Sequence, residues 1–311
     1  MIRYIHLLLF ILISKVGFAQ VDSSYIGFYS QKISTKVFLG KKNITLEEKL
    51  EQDRVFRPNN PLDIGLGISI NNTVISGSLG YGFDFLRDKK RGKTKYFDYQ
   101  LHNYNRKHVL DIFYQRYSGF YIEETGSQTK LILAPDLRVS KYGILGEYAF
   151  NGNKFSYRAA FDQSEKQLRS AGSFLIGGGA QYSVIKSDSS FVHKENNKHK
   201  SIQFGIRAGY AYTWVATKNI LISGSVAVGA DFGNRSLYEL RNSKLEVYPT
   251  TFTRFTASYN QENWSVRLAH LSSSTFTYFS DKQGINLNSG TFELSYIKRI
   301  DTPAFIAKFL E

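Results

Sequence analysis

Apolar and polar residues alternate with a period of two along most of the chain, the pattern of strands whose two faces meet different environments. The clearest case is SIQFGIRAGYAYTW (201–214), where Ile202, Phe204, Ile206, Ala208, Tyr210, Tyr212 and Trp214 share one parity and Gln203, Gly205, Arg207, Gly209 and Thr213 the other. TTFTRFTASYN (250–260) sets Phe255, Ala257 and Tyr259 against Arg254, Thr256 and Ser258. GTFELSYIKRI (290–300) sets Phe292, Leu294 and Tyr296 against Glu293, Ser295 and Arg299, and Trp264, Val266 and Leu268 alternate with Ser265, Arg267 and Ala269. Further candidate walls are 33–40, 62–71, 74–86, 96–105, 107–117, 136–149, 154–163, 173–187 and 220–232. Several reach the roughly 9 to 11 residues that a tilted strand needs to cross a bilayer. The pattern predicts an all-β fold, an antiparallel transmembrane β-barrel of about 12 strands, range about 10 to 14, with one face toward lipid and one toward the lumen.

The separators sort into two kinds. Short turns fall at Asn71-Asn72, Asn105-Arg106, Asn151-Gly152, Lys218-Asn219 and Asn260 to Asn263; long polar links fall at 41–61, 87–95, 118–133, 188–200, 233–249 and 276–288. In such barrels short turns face the periplasm and long loops face outside. The alternation fails between Gly152 and Lys218, where three wall-like segments separate two turns of the same kind. Either the strand 173–187 breaks at Gly177-Gly178-Gly179, or QSEKQLRSAG (163–172) is a loop or short helix that returns on the same side.

Composition fits the pattern: 25 Gly, 21 Tyr and 24 Phe stand against 5 Pro, 1 Met and no Cys. The first residues, with Arg3, the apolar run Leu7 to Ile13, and Gly17 and Ala19, have the anatomy of a signal peptide (1–19) cut after Ala19, leaving 20–311 as a single barrel domain in the bacterial outer membrane. The formal charge of +14 falls to about +12 once Arg3 and Lys15 leave. Basic runs such as RDKKRGKTK (87–95) and HKENNKHK (193–200) suit solvated loops or contact with outer-membrane lipid and lipopolysaccharide. No nucleic-acid partner is expected, because a basic run without a recognition fold is weak evidence for one.

The inward parity carries Asp98, His102, Asp111, Glu147, Arg158, Asp162, Arg207, Asp231, Arg254, Arg267, Glu293 and Arg299. Buried charges of this kind must pair or meet water, so they predict a lumen polar network, either closed by salt bridges or lining a small pore. Tyr117, Phe120 and Tyr121, just past a wall end, are candidates for an aromatic girdle or a partner interface. His270 and Ser272 share a strand face toward lipid. A His-x-Ser pair resembles the lipid A deacylase barrels, which implies Ser272 as nucleophile and His270 as base, with no acidic third member evident. His193, Glu195 and His199 are too loosely spaced for a metal site, and IGGGAQ (176–181) lacks the Lys and Ser/Thr of a phosphate loop; no metal or cofactor is expected.

YSQKISTKVFLG (29–40), RVFRPNNPLDIGLGISI (54–70), RGKTKYFDYQLHNYNRK (91–107), DIFYQRYSGFYI (111–122) and FDQSEKQLRSAGSFLIGG (161–178) resemble the DUF4421 proteins, a Bacteroidota outer-membrane family of unknown function. That resemblance implies an exported barrel and supplies no catalytic residue. The expected function is a noncatalytic barrel that acts as a structural or accessory subunit of an envelope assembly, with protein partners in an outer-membrane complex. The alternatives are a small-solute pore with a charged lumen and an outer-leaflet lipid esterase.

Overall fold

The computed structural model describes residues 21–49, 54–70, 73–79, 84–124, 130–188, 198–234, 245–280 and 283–301. The segment 1–19 and the pair His193 and Glu195 lie outside them. In chain order the strands are β1 (Ile26–Phe28), β2 (Ile33–Lys49), β3 (Arg54–Pro58), β4 (Asp63–Ile70), β5 (Thr73–Leu79), β6 (Lys95–Tyr104), β7 (His108–Glu124), β8 (Lys130–Ala149), β9 (Glu165–Gln167), β10 (Ala171–Lys186), β11 (Lys198–Val215), β12 (Ile220–Asn234), β13 (Glu246–Asn260), β14 (Trp264–Ser280) and β15 (Gln283–Ile300). Thirteen of these form one antiparallel sheet closed by β15 pairing with β2, while β1 and β9 make a separate ribbon.

The closed sheet has two circumferences. Toward the short turns the circuit runs through β4, β5 and β6, twelve strands in all. Toward the long connections β3 bridges β2 and β7 directly, pairing Leu46 with Phe56 and Pro58 with Phe120, so the ring there has ten strands. Barrel diameter grows with strand number, so the outer end is the narrower one. Asn59 and Asn60 fix this junction. The Asn59 side chain donates to the carbonyls of Asp88 and Gly92, both at 2.7 Å, and that of Asn60 donates to the Lys42 carbonyl at 2.8 Å. Gly119, at φ 86°, forms the bulge in β7 where a Cβ would strike the Lys93 carbonyl.

The wall is apolar outside along its turn-side half: Ile64, Leu66, Phe204, Ile206, Tyr210, Tyr212, Trp214, Val226 and Val228 are all exposed, as a lipid-facing band requires. Farther out the polarity inverts. Ile44, Leu46, Leu137, Val139, Ile185, Ile285 and Leu287 point inward and are buried, while their outward neighbours are Asn43, Thr45, Arg138, Lys186, Asn286 and Asn288. The strands have left the hydrocarbon there, so water lies outside and an apolar core fills the inside. This corrects three expectations. The links 41–61, 118–133 and 276–288 are largely strand, because a polar exterior makes a projecting strand read as a loop.

The miscounted wall is 154–163. β8 pairs directly with β10, Ala149 opposite Leu175, and the intervening 150–170 returns on the same side. Its centre is a helical turn, Arg158–Asp162, and its end is β9. β10 runs unbroken through its glycines. A Cβ at Gly177 or Gly179 would press on the carbonyl of Gly146 or Ile144, so the glycines permit close strand approach. Among the described residues no helix is long and apolar enough to cross a membrane; the crossing is made by strands.

Candidate functional site

The lumen is filled from both ends by different chemistry. At the outer end Phe56 of β3 inserts among Ile44, Leu46, Tyr117, Phe120, Ile122, Ala134 and Leu137, each at most 4% exposed. Tyr117, Phe120 and Tyr121 are therefore not a girdle. The first two lie in this core, and Tyr121, 6% exposed, is covered by the Arg91 guanidinium at 5.3 Å. The bulge at Gly119 shifts the parity of β7, so Tyr117 and Phe120 both turn inward.

At the inner end the 150–170 segment enters the barrel with two distinct faces. Phe155, Tyr157, Ala160 and Phe161 pack on Tyr104, Val109, Ala149, Ala171, Leu175 and Ala211. Small inward residues on β8, β10 and β11 leave the room. The opposite face presents the carbonyls that end the helical turn, which have no intrahelical backbone donor; within the segment the Gln163 side chain donates to that of Ala160 at 3.1 Å. Three adjacent strands supply donors: Thr256 of β13 to Ala160 at 2.6 Å, Arg267 of β14 to Phe161 at 2.5 Å, and Arg299 of β15 to Gln163 at 2.7 Å. Gln163 ends the turn in the left-handed region at φ 56°, as a helix C-cap does. Below it, Arg106 binds Glu165 at 2.8 Å, and Gln167 donates to the carbonyls of Lys154 at 2.6 Å and Arg169 at 3.0 Å.

Between the fillings lie ion pairs. Arg254 spans Asp111, at 2.6 Å, and Glu147; Asp111 also meets His102 at 2.6 Å, and Glu147 accepts from the Tyr157 hydroxyl at 3.1 Å. Burial, and then the Glu147 charge, raise the Tyr157 hydroxyl well above the ordinary phenol range, so it stays a donor. Glu293 joins Lys36, at 3.0 Å, with Arg267. Asp231 lies 3.8 Å from Arg207 and accepts from Gln181. His102 thus serves Asp111, while Asp98 accepts from Gln115 at 2.9 Å and Tyr117 at 2.8 Å and lies 3.7 Å from Lys42. Arg158 and Asp162 belong to the inserted segment instead of a wall; they reach Glu165 at 3.4 Å and Ser69 at 3.4 Å. Cavities of about 80 and 30 Å³ remain, enough for a few waters at about 10 to 15 Å³ each.

Lys36, Lys42 and Lys141 are lumen residues that the sequence reading missed. Lys141, 2% exposed, approaches Ser273 at 3.5 Å and Thr275 at 3.4 Å. Their signal was present: Lys36, Phe38, Gly40 and Lys42 share a parity opposite to Val37 and Leu39. His270 and Ser272 both face outward on β14, where His270 pairs with Phe255 and Phe292. Among the described residues no carboxylate is bonded to His270, and no group of three or more potential metal ligands occurs.

Residues 20–297 match the family model described as Domain of unknown function (DUF4421). The chain belongs to that family. Among curated proteins none matches the chain. Similar solved structures to this DUF4421 protein include OmpT, an outer membrane protein of Vibrio cholerae, with a TM-score of 0.28 and 9% identity over 84% of this chain and 98% of that one. They also include the P. putida toluene transporter TodX, with a TM-score of 0.28 and 6% identity over 87% and 90%, and OprG of Pseudomonas aeruginosa, with 0.26 and 9% over 89% and 99%. At these values the DUF4421 barrel is defined by its own closed sheet and apolar exterior.

Proposed function

We propose that this outer-membrane barrel is a noncatalytic structural or accessory subunit of an envelope assembly, carried out by its wall and its outer strand extensions and not by its lumen. The observation that supports this reading is the double filling. An apolar core closes the outer end, a hydrogen-bonded segment closes the inner end, and the twelve expected lumen charges between and around them are engaged with protein groups. A resting pore would need a water path past both, whereas a scaffold gains rigidity from them.

The test is single-channel recording on the full-length protein in planar bilayers, paired with crosslinking in the native envelope before gentle extraction. The expected result is no conductance from the intact protein and a discrete crosslinked complex of higher mass. Steady conductance from the intact protein would overturn the closed-lumen reading in favour of a small-solute pore. Recovery of the barrel alone, with no crosslinked species, would overturn the subunit role.

A further inference from the structure

The register of the wall sets six cations side by side on one outer face. Lys95 of β6 pairs with Ser118 of β7, Ser118 with Arg138 of β8, Arg138 with Lys186 of β10, and Lys186 with Lys198 of β11. One step nearer the membrane, Arg116 pairs with Ser140, Ser140 with Val184, and Val184 with Lys200. Lys95, Arg116, Arg138, Lys186, Lys198 and Lys200 are all exposed and outward, and among the described residues none has an ion-pair partner. At about 4.8 Å between strands, the cluster spans roughly 19 Å along the wall. The nearby acids lie farther out, where Asp136 accepts from Ser187 at 2.9 Å and from the Asp188 amide at 2.7 Å.

The next step toward the membrane is a row of tyrosines. Tyr99 pairs with Tyr114, Tyr114 with Tyr142, and Tyr142 with Tyr182; the Tyr114 and Tyr142 rings stack at 4.7 Å. Aromatic rows of this kind sit at the headgroup level of a bilayer. Directly beneath the tyrosines, Ile112, Ile144, Ala180 and Phe204 line an apolar hollow of about 710 Å³, within the size range of small-molecule sites. One row further in, Gly146 faces Gly178, two adjacent wall positions without side chains. The opposite wall lacks this sequence of layers. There the outward residues of β13 to β15 at the same height are uncharged, with Thr251 beside Ser274, Thr253 beside Ser272, and Ser274 beside Asn288.

We infer that the β6 to β11 face is a docking site for a phosphorylated, multiply acylated glycolipid of the outer leaflet, that is, lipopolysaccharide. Its phosphates meet the lysine and arginine rows, its sugars lie over the tyrosines, and one acyl chain occupies the hollow. Charge complementarity and the vertical order of cations, aromatics and apolar hollow select this occupant over an acidic protein, which needs no groove at acyl depth. The site does not depend on whether the lumen is closed.

The experiment uses the full-length protein in nanodiscs, with purified lipopolysaccharide, its dephosphorylated form, and phosphatidylglycerol as probes, read by native mass spectrometry and titration. Binding of intact lipopolysaccharide is expected to weaken at least tenfold in the combined variant Arg116→Gln, Arg138→Gln, Lys186→Gln and Lys200→Gln, and on dephosphorylation of the ligand. Ala180→Trp, which fills the hollow without changing charge, is expected to weaken it as well. Heat-modified gel mobility confirms that each variant is folded. Equal binding by the parent and the four-fold variant overturns the site. So does equally tight, equally variant-sensitive binding of phosphatidylglycerol, which would make it a generic anionic-lipid surface. Loss of a crosslinked acidic protein with lipopolysaccharide binding intact overturns it in favour of a protein partner.

Discussion

The two ends of the lumen solve one problem in opposite ways. At the outer end the sheet narrows from twelve strands to ten and fills itself with Phe56, Leu46, Ile285 and their neighbours, which need only exclude water. At the inner end the ring stays wide and takes in a separate segment of chain, whose buried turn-ending carbonyls must each be matched by a placed donor. The apolar closure is non-directional and tolerates small shifts; the polar closure is directional and fails when one partner is removed. The contrast teaches that the outer seal is part of the wall, whereas the inner seal is a component held by the wall.

The largest effect is expected in the middle, where the inner filling meets its ion pairs. Arg254→Met leaves Asp111 and Glu147 buried without their shared cation, a loss of about 3 to 5 kcal/mol on the scale of a broken buried pair. Urea unfolding of the barrel in lipid vesicles measures it. Adding Asp111→Asn and Glu147→Gln to the same protein should recover most of the loss, since no unpaired charge then remains. A cost under about 1 kcal/mol for Arg254→Met alone would mean that water reaches these carboxylates and that the inner closure is not an ionic lock.

A smaller loss, about 2 to 4 kcal/mol, is expected for Leu46→Ala in the outer core, through lost transfer free energy and the cavity left beside Phe56. It should carry no rescue by charge changes elsewhere. If Leu46→Ala were neutral, the outer end would be loosely packed and the comparison between the two ends would collapse, because neither would then be a seal.

The wall was legible where the barrel touches lipid. The alternation in β11 and β13 and the inward set Arg207, Arg254 and Thr256 follow directly from parity, and the expected twelve strands match the wider ring. Legibility stopped at the membrane border. KKNITLEEK (41–49) reads as a polar loop because its outward residues face water, yet Ile44 and Leu46 on its other face are fully buried. The segment 154–163 misled in the other direction: Phe155, Tyr157 and Phe161 alternate like a wall, but Ser156, Ala160 and Asp162 between them are also buried, which a wall strand between lipid and lumen does not require. No local pattern distinguishes a strand from an inserted turn that happens to repeat at two. The signal lay elsewhere, in Ala149, Ala171 and Ala211, whose small inward side chains leave space that something had to fill.

The finest test of the comparison lies at Thr256. Its hydroxyl donates to the Ala160 carbonyl at 2.6 Å, one of three donors set by three neighbouring strands. Thr256→Val keeps the shape and removes this donor, leaving the buried carbonyl only the Gln163 side-chain amide at 3.1 Å, at a cost of about 0.5 to 1.5 kcal/mol. That is the smallest of the stability effects, but it is the most specific, because hydrogen exchange should show faster exchange in 150–170 with the outer core unchanged. Thr256→Ser retains the donor and should restore protection. Faster exchange at both ends would mean that the fillings open together, and that the inner segment is a structural part of the barrel instead of a component it holds.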